Sequence, residues 1–323
     1  MLKQKIKIFL LNFVLGLTIT SCATFEPIQI QVLNPAKVKV SPAINKVVLI
    51  NHAIIKNNQL NSNSDSLNTD QYFAGLLQVM GNSPRFEIAG NKPININKPS
   101  QYEQLGWSVI NKICADSSAD AVIVLENCQV KYTDPIKIIL TDYGFYGSLE
   151  MDNNSIWKIY IPQVNKTDDN YYLKDTLFWD ASGVLQSEVL EKIPKITDAT
   201  MQSCFYAGVQ YGERICQTWS NKTRYLIVCE KPDFQRALQL AKQNKWNEAI
   251  EIWKKYPYGK NKRLGSYAAY NLAVASETLD HIDIALEWAS KSYLLKHSEF
   301  IEYYISTLEK HDYQKKVIEE QLK

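Results

Sequence analysis

The sequence contains few histidines and none of the motifs on which enzyme catalysis commonly depends. No glycine-rich phosphate loop, G-x-S-x-G nucleophile turn or H-E-x-x-H zinc motif is present. Histidine occurs four times, and the spacing fits neither a metal site nor a catalytic triad; the four are His52, His281, His297 and His311. The sequence therefore predicts a protein that is not an enzyme and that needs no metal and no cofactor.

The chain also lacks an excess of charge of either sign. It has 36 basic and 34 acidic residues, for a formal net charge of +2. A chain so close to neutrality exerts no general attraction on a polyanion, so nucleic acid is not expected as a partner.

Paired cysteine motifs are absent as well. No C-x-x-C or C-x-x-H spacing occurs, which argues against a zinc site or a thioredoxin-like motif. Cys204 and Cys216 fall on one predicted helix, roughly 18 Å apart and beyond disulfide reach. Besides Cys22, the cysteines are interpreted as small buried apolar side chains, with one disulfide among the others as the alternative; they are Cys114, Cys128, Cys204, Cys216 and Cys229.

The apolar run near the start of the chain, residues 8–19, is too short to cross a membrane, which takes about 20 apolar residues. Three lysines precede this run and two small residues follow it. A basic start, a short apolar segment and small residues before a break are typical of a secretory signal.

The residues that end this leader, Ile19-Thr20-Ser21-Cys22, resemble the bacterial lipobox. The resemblance implies that a signal peptide of residues 1–21 is removed and that acyl chains are attached to Cys22. Two or more chains would hold the protein firmly on a membrane, at ~0.8 kcal/mol per buried CH₂. Because Ala23 rather than Asp follows the cysteine, the resemblance implies an outer-membrane lipoprotein, on either face. The alternative is an ordinary secretory signal with an unrelated cysteine.

The next part of the chain predicts a tether and then an αβ domain. Residues 22–44 contain three prolines and are interpreted as a tether with room for a strand or two. From residue 45, the apolar runs Val47–Ile50 and Ala121–Leu125 predict buried strands, with helices expected at 71–80 and 102–115. This order favours a mixed sheet with crossover helices. It resembles the small αβ domains of envelope lipoproteins that are related to the TolB amino-terminal domain and to the curli secretion lipoprotein.

After Val130 the pattern alternates between apolar and polar residues, which predicts antiparallel strands added to the sheet. Aromatic residues crowd this part of the chain. They are interpreted either as a glycan or peptide platform or as core and cross-strand pairs; they are Tyr143, Phe145, Tyr146, Trp157, Tyr160, Tyr171, Tyr172, Phe178 and Trp179.

A long helix is expected at residues 200–219, and Gly208 and Gly212 on one face are expected to allow close packing on the sheet. A closing strand is expected at 225–228. Residues 45–230 are therefore predicted to form one αβ domain. With the tether, this region resembles an uncharacterised domain family of Bacteroidetes lipoproteins.

The remaining residues, 231–323, are predicted to be helical and to contain an internal repeat. Seven apolar positions beginning at Phe234 recur 36 residues later, which indicates repeated helix pairs. The pattern resembles the tetratricopeptide repeat, with Asn271-Leu272-Ala273 at its N-L-G step. Two departures are Asp280 at the usual turn glycine and a period longer than the usual ~34. The expected fold class is thus α+β: a mixed αβ sandwich domain followed by an all-α tetratricopeptide-like module.

In that repeat family, the first helix of each pair lines a concave groove that holds a peptide or a partner's helix. The resemblance implies seven groove residues, which are Phe234, Leu238, Lys242, Tyr267, Tyr270, Val274 and Glu277. The alternative is that these side chains pack on the neighbouring domain and bind nothing.

Two tripeptides resemble the Bacteroidetes O-glycosylation signal and imply glycans on Ser66 and Thr176. The first falls in residues 57–70, a polar segment that is predicted to be a loop.

The sequence as a whole predicts a membrane-anchored envelope lipoprotein. Its expected role is a non-catalytic protein–protein interaction scaffold that holds a protein partner through the helical repeats. The alternatives are a glycan- or peptide-binding lipoprotein that uses the aromatic-rich strands, and a hydrolase whose site carries no recognised motif.

Overall fold

The computed structural model describes residues 23–53, 63–90, 92–96, 104–132 and 136–323. The chain divides into two compact units, each assembled from segments that are distant in sequence. We call the described residues within 33–219 and 317–323 the αβ unit, and the described residues within 1–32 and 220–316 the helical unit. None of the helices in the described ranges is long and apolar enough to cross a membrane.

The elements follow one another in an order that separates a strand-rich part from a helical end. The strands are β1 (Thr24–Asn34), β2 (Lys46–Asn51), β3 (Glu87–Ile88), β4 (Ile94–Asn95), β5 (Ala121–Tyr132), β6 (Lys137–Thr141), β7 (Gly144–Ile161), β8 (Lys166–Gly183) and β9 (Thr218–Val228). The helices are α1 (Asn63–Gly81), α2 (Trp107–Ser117), α3 (Gln186–Lys192), α4 (Ile196–Ile215), α5 (Pro232–Lys242), α6 (Trp246–Trp253), α7 (Lys262–Thr278), α8 (Ile282–Leu295) and α9 (Glu299–Leu322).

The αβ unit is built on a seven-stranded mixed sheet. Strand β2 pairs in parallel with β3, β4 and β5, and β7 pairs antiparallel with β5, β6 and β8. The prediction of a mixed sheet followed by a helical region is confirmed at this level.

The central parallel strand β2 and the first part of β5 are buried on both faces. Val47 and Leu49 face the layer formed by α1 and α4, while Val48 and Ile50 face α2. This double burial explains why these strands appear in the sequence as unbroken apolar runs.

Helices α1 and α4 approach each other so closely that glycine is required at their contact. A Cβ on Gly208 would lie 1.9 Å from the carbonyl oxygen of Tyr72, and one on Gly75 would lie 2.0 Å from a carbonyl of α4. A Cβ on Gly212 would lie 2.7 Å from Cβ of Val79. Gly208 and Gly212 therefore face a helix, and the prediction that they pack on the sheet is wrong.

The five cysteines within the described ranges are free thiols, and all are buried. Burial raises the pKa of Cys204 and that of Cys216 to about 12. Because the thiolate is the reactive form, these side chains act as small apolar groups.

The helical unit combines a two-stranded sheet, β1 with β9, and the helices from α5 onward. Ile28, Ile30 and Val32 of β1 are buried in the core of this unit. The segment predicted as a tether thus contains a strand whose apolar side chains belong to a core. The buried amide of Asn271 on α7 accepts from the backbone N–H of Ile227 and donates to its carbonyl, both at 2.8 Å.

A buried carboxylate, Glu277 on α7, connects β9 and α9 to α7. Arg224 of β9 donates two hydrogen bonds to it at 2.7 and 2.8 Å. The hydroxyl of Tyr304 donates at 2.8 Å, and Nδ1 of His311 lies 3.1 Å from the carboxylate. Burial alone would raise the pKa of Glu277, but the hydrogen bonds from His311 and Arg224 and the charge of Arg224 outweigh it. They lower that pKa to about 2.

We expect Gly208→Ala to lower the free energy of unfolding by about 1–3 kcal/mol, because the added methyl group forces two helix backbones apart. Gly81→Ala is the matched control, since a Cβ there would meet nothing within 4 Å. Urea unfolding followed by circular dichroism measures both. Equal stability of Gly208→Ala and the wild type would contradict the packing described.

We expect Glu277→Gln to lower the free energy of unfolding by ~3–5 kcal/mol at pH 7, because the guanidinium of Arg224 is left buried without its counter-charge. The folded pKa of Glu277 lies below the unfolded value. Its stabilisation is therefore complete above the unfolded pKa and is lost as pH falls toward about 2.

The difference between wild type and Glu277→Gln should accordingly shrink between pH 5 and pH 2. Glu251→Gln, which breaks the exposed pair with Lys254, is the control and should cost less than about 1 kcal/mol. A pH-independent difference at Glu277 would refute the proposed linkage.

Candidate functional site

The residues predicted to form a partner groove lie in the helical unit, and most of them are interior. Six of the seven are at most 8% exposed; these are Phe234, Leu238, Tyr267, Tyr270, Val274 and Glu277. Lys242 is the exception: it is exposed and pairs with Glu26 of β1 at 3.1 Å. Strands β1 and β9 pack into the same core as these side chains, as the contact between Asn271 and Ile227 shows. The structure therefore places these six side chains in the interior of the helical unit rather than on an open surface.

The aromatic residues of the strand-rich region divide between core and surface. Trp157 and Tyr160 of β7 are buried, and the ring of Trp157 stacks on Tyr211 at a centroid distance of 4.6 Å. Tyr172 and Phe178 of β8 are exposed. Trp157 and Tyr160 therefore belong to the core, and a glycan or peptide platform stays a prediction for the exposed rings.

Tyr172 and Phe178 lie on a sheet face that we call the open face, formed by the even-numbered residues of β7 from 146 to 156 and of β8 from 172 to 182. The pairing of Ile156 with Tyr172 and of Glu150 with Phe178 sets this register. Phe178 is 67% exposed. On the same face, Tyr172 donates to Asn154 at 3.0 Å and Thr176 donates to Asp152 at 2.7 Å. Aromatic rings beside amide and carboxylate groups can stack on a ligand and hydrogen-bond to it.

A second exposed feature lies at one end of the same antiparallel strands. We call it the apolar tip, and its five large apolar side chains are between 56% and 97% exposed; they are Ile139, Leu140, Tyr143, Val184 and Leu185. Leu140 pairs with Phe145, and Phe145 pairs with Gly183, so the β6–β7 turn and the end of β8 are adjacent. Clusters of exposed apolar side chains commonly mark interaction surfaces.

The backbone of the tip is held in place by local contacts. Gly144 has a φ of +119° at the β6–β7 turn, where a side chain would be strained and would also meet the carbonyl of Gly183. On the other side, the carboxylate of Glu188 on α3 accepts from the backbone N–H groups of Val184 and Leu185 at 2.9 and 3.3 Å. The tip is thus an ordered surface that presents apolar side chains.

A buried polar cluster that the sequence analysis did not identify lies just after the end of β2, beside an irregularity in the middle of β5. Nδ1 of His52 is 3.0 Å from the carboxylate of Glu126, which also accepts a hydrogen bond from the hydroxyl of Tyr160. All three residues are buried, so the cluster joins three strands rather than facing a substrate. The signal in the sequence was a glutamate interrupting the apolar run of β5. Over the described ranges, no group of three or more His, Cys, Asp or Glu residues could hold a metal ion.

The other predicted sites differ in how the structure bears on them. Cys22 lies outside the described residues. Ser66 falls within helix α1 rather than in the polar loop expected at residues 57–70, because the helix begins at Asn63. Thr176 lies on the open face. Glycosylation of either residue stays a prediction.

The comparisons with known proteins give no activity. No curated protein matches the chain significantly in sequence. A neuraminyllactose-binding hemagglutinin homologue from Helicobacter pylori is 11% identical, covers 55% of this chain and 85% of its own, and has a TM-score of 0.35.

Two further solved structures are also distant. The PelC dodecamer from Paraburkholderia phytofirmans is 9% identical and covers 59% of this chain and 100% of its own, with a TM-score of 0.23. The hypothetical protein CT253 from Chlamydia trachomatis is 12% identical and covers 52% and 96%, with a TM-score of 0.25. At such scores these likenesses support no argument about function.

Two family models match the chain, and both describe domains of unknown function. Residues 235–310 match the model of DUF6340. Residues 44–226, more than half of the sequence, match the model of DUF8603, and the chain therefore belongs to this family of domains of unknown function.

Proposed function

We propose that this protein is a membrane-anchored envelope lipoprotein that acts as a non-catalytic scaffold for a protein partner. The apolar tip carries the proposal, because it leaves five large apolar side chains in solvent on an ordered backbone. Burying such side chains against a partner would stabilise a complex by roughly 25 cal/mol per Å² of apolar surface, before the costs of association.

The anchor in this proposal is Cys22. The lipobox resemblance supports removal of the signal peptide 1–21 and acylation of Cys22, with the outer membrane as the location. The face of that membrane is left open.

The tetratricopeptide-like helix pairs serve in this proposal as a rigid module. The starts of α6 at Trp246 and of α8 at Ile282 agree with the predicted period of 36 residues, which supports this part of the proposal. Because the predicted groove residues are interior, we place the partner at the apolar tip of the αβ unit instead of on the first helices of the pairs.

A protein partner is the class that the tip fits best. Its side chains offer apolar area but few hydrogen-bonding groups. A sugar would need hydrogen-bonding groups as well as apolar area. We therefore expect the partner to present a complementary apolar surface with a polar rim.

We expect the double variant Leu140→Ser, Tyr143→Ser to lose at least tenfold in affinity for the partner while unfolding like the wild type. Both side chains are more than 70% exposed, so their removal leaves the core intact. A photo-reactive amino acid at position 143 should crosslink to the partner in membranes and identify it. Affinity is then measured with the purified pair.

Val164→Ser is the matched control, because Val164 is 63% exposed in a 3₁₀ turn outside the tip. Equal loss of affinity in this control, or full affinity in the double variant, would exclude the tip as the docking surface. If position 143 crosslinks only to lipid, the tip contacts the membrane, and the proposal of a protein partner at this surface is wrong.

A second candidate function, glycan or peptide binding, is favoured by the open face. Tyr172 and Phe178 present exposed rings within reach of Asp152 and Asn154, whose side chains are already ordered by hydrogen bonds. Stacking on a ring and hydrogen bonding to such groups together make a sugar-binding surface.

For this second function, a glycan array first identifies a glycan that the protein binds. We expect Tyr172→Ala to lower the affinity for that glycan by at least tenfold, because the stacking ring is removed. Tyr303→Ala on α9 is the control, since Tyr303 is 75% exposed and distant in sequence. The array and subsequent calorimetry measure the change. Binding that survives Tyr172→Ala would count against the open face.

A further inference from the structure

The helical unit contains a cavity of about 270 Å³ beside the first described residues. One wall is apolar and is formed by Phe25 of β1, Ile227 of β9, and Phe300 and Ile301 of α9. The rings of Phe25 and Phe300 meet edge to face at a centroid distance of 4.8 Å. An apolar wall of this kind suits a hydrocarbon segment.

The lining of the cavity also includes two cations and a phenol. The guanidinium of Arg263 and the ammonium of Lys296 each lie 5.6 Å from the centroid of the Tyr267 ring. Nε of Arg263 donates to the hydroxyl of Tyr267 at 2.7 Å, which leaves the hydroxyl proton available to an acceptor. Among the residues that the structure describes, no carboxylate forms an ion pair with Lys296.

A cavity that is lined by two cations and by apolar side chains suits a ligand with an anionic group and a hydrocarbon part. A phosphate group would take charge-assisted hydrogen bonds from Arg263 and Lys296, because guanidinium and ammonium groups both bind phosphate oxygens. The apolar wall would take the first carbons of an attached chain. The volume is slightly below the ~300–1,000 Å³ of drug-sized pockets, so a head group and a short chain segment fill it.

We propose that this cavity binds the phosphate head group of an anionic acyl lipid. Ala23, which lines the cavity, directly follows the cysteine that the lipobox resemblance marks for acylation. The lipid as a source rests on the proposed membrane anchor, which would bring the cavity to a membrane surface. The charge and shape of the cavity are independent of that anchor.

The test uses a chain that begins at residue 22 and carries Cys22→Ser, so that no acyl chain of its own contributes. Calorimetry compares dihexanoyl phosphatidylglycerol, dihexanoyl phosphatidylcholine and inorganic phosphate. We expect the first to bind at least tenfold more tightly than either of the others, because only it combines a net negative head group with a chain.

Lys296→Gln and Arg263→Gln should each weaken phosphatidylglycerol binding by about 10- to 100-fold, the range expected for a hydrogen bond to a charged group. Lys291→Gln is the matched control. Lys291 lies on α8, which ends at Leu295 directly before Lys296, and its ammonium group lies over a different ring, that of Tyr258, at 5.0 Å from the centroid. Its affinity should stay within twofold of wild type. Thermal unfolding checks that all three variants fold.

Flotation with phosphatidylglycerol vesicles then distinguishes a lipid in a bilayer from a soluble phosphate compound. Recovery with these vesicles, lost in Lys296→Gln, supports the proposal. Equal affinity for inorganic phosphate or phosphatidylcholine, or equal losses in Lys291→Gln and Lys296→Gln, would overturn it. The tip variant Leu140→Ser, Tyr143→Ser should bind this lipid normally, so a failure of the scaffold proposal is separable from a failure here.

Discussion

The helical unit depends on one buried carboxylate, Glu277, because its charge is balanced by groups from two other elements. Arg224 brings β9, and Tyr304 and His311 bring α9, to the same two oxygen atoms. Each donor would be costly to bury alone, and the carboxylate would be costlier still. The face of α7 that carries Glu277 is consequently committed to internal packing. The same interaction that holds the unit together therefore removes this face from the surface available to a partner.

Many of the helices and strands could be predicted from the sequence, because they depend on the local spacing of apolar residues. Which elements pack against one another could not be predicted in this way. Strands were predicted at Val47–Ile50 and Ala121–Leu125, and helices from Phe234 onward, and the structure has them there. This works because the spacing of apolar residues indicates which side of an element is buried. Spacing does not report what buries it. Phe234 and Tyr270 are predicted to face a partner, and they lie instead in a core that also contains side chains of β1, β9 and α9. Gly208 was correctly read as a site of close packing, but its neighbour is a helix.

The candidate binding surfaces follow from an asymmetry within the sheet. Its parallel half has helices on both faces, so its side chains are consumed by two layers of core. In the antiparallel half, β6 to β8, one face packs on the core and the other leaves Tyr172 and Phe178 exposed. The parity of residues separates the two faces along β8 and along β7 as far as Ile156, whereas Lys158 and Tyr160 of β7 are buried as well. The alternation itself was present in the sequence. What the sequence could not supply was which parity faces the core, since aromatic residues occupy both.

The pairing of β1 with β9 has a consequence for how the chain is made. Gln29 of β1 bonds to Thr223 of β9 across a sequence separation of 194 residues. During synthesis, Ile28, Ile30 and Val32 are therefore produced long before the strand and helices that bury them. Contacts of such sequence separation form slowly, and the apolar side chains that await them are prone to non-native association. A chain that stops after β9 would keep both strands yet lack their core, so the apolar side chains of β1 are protected only after the helices that follow β9 are made.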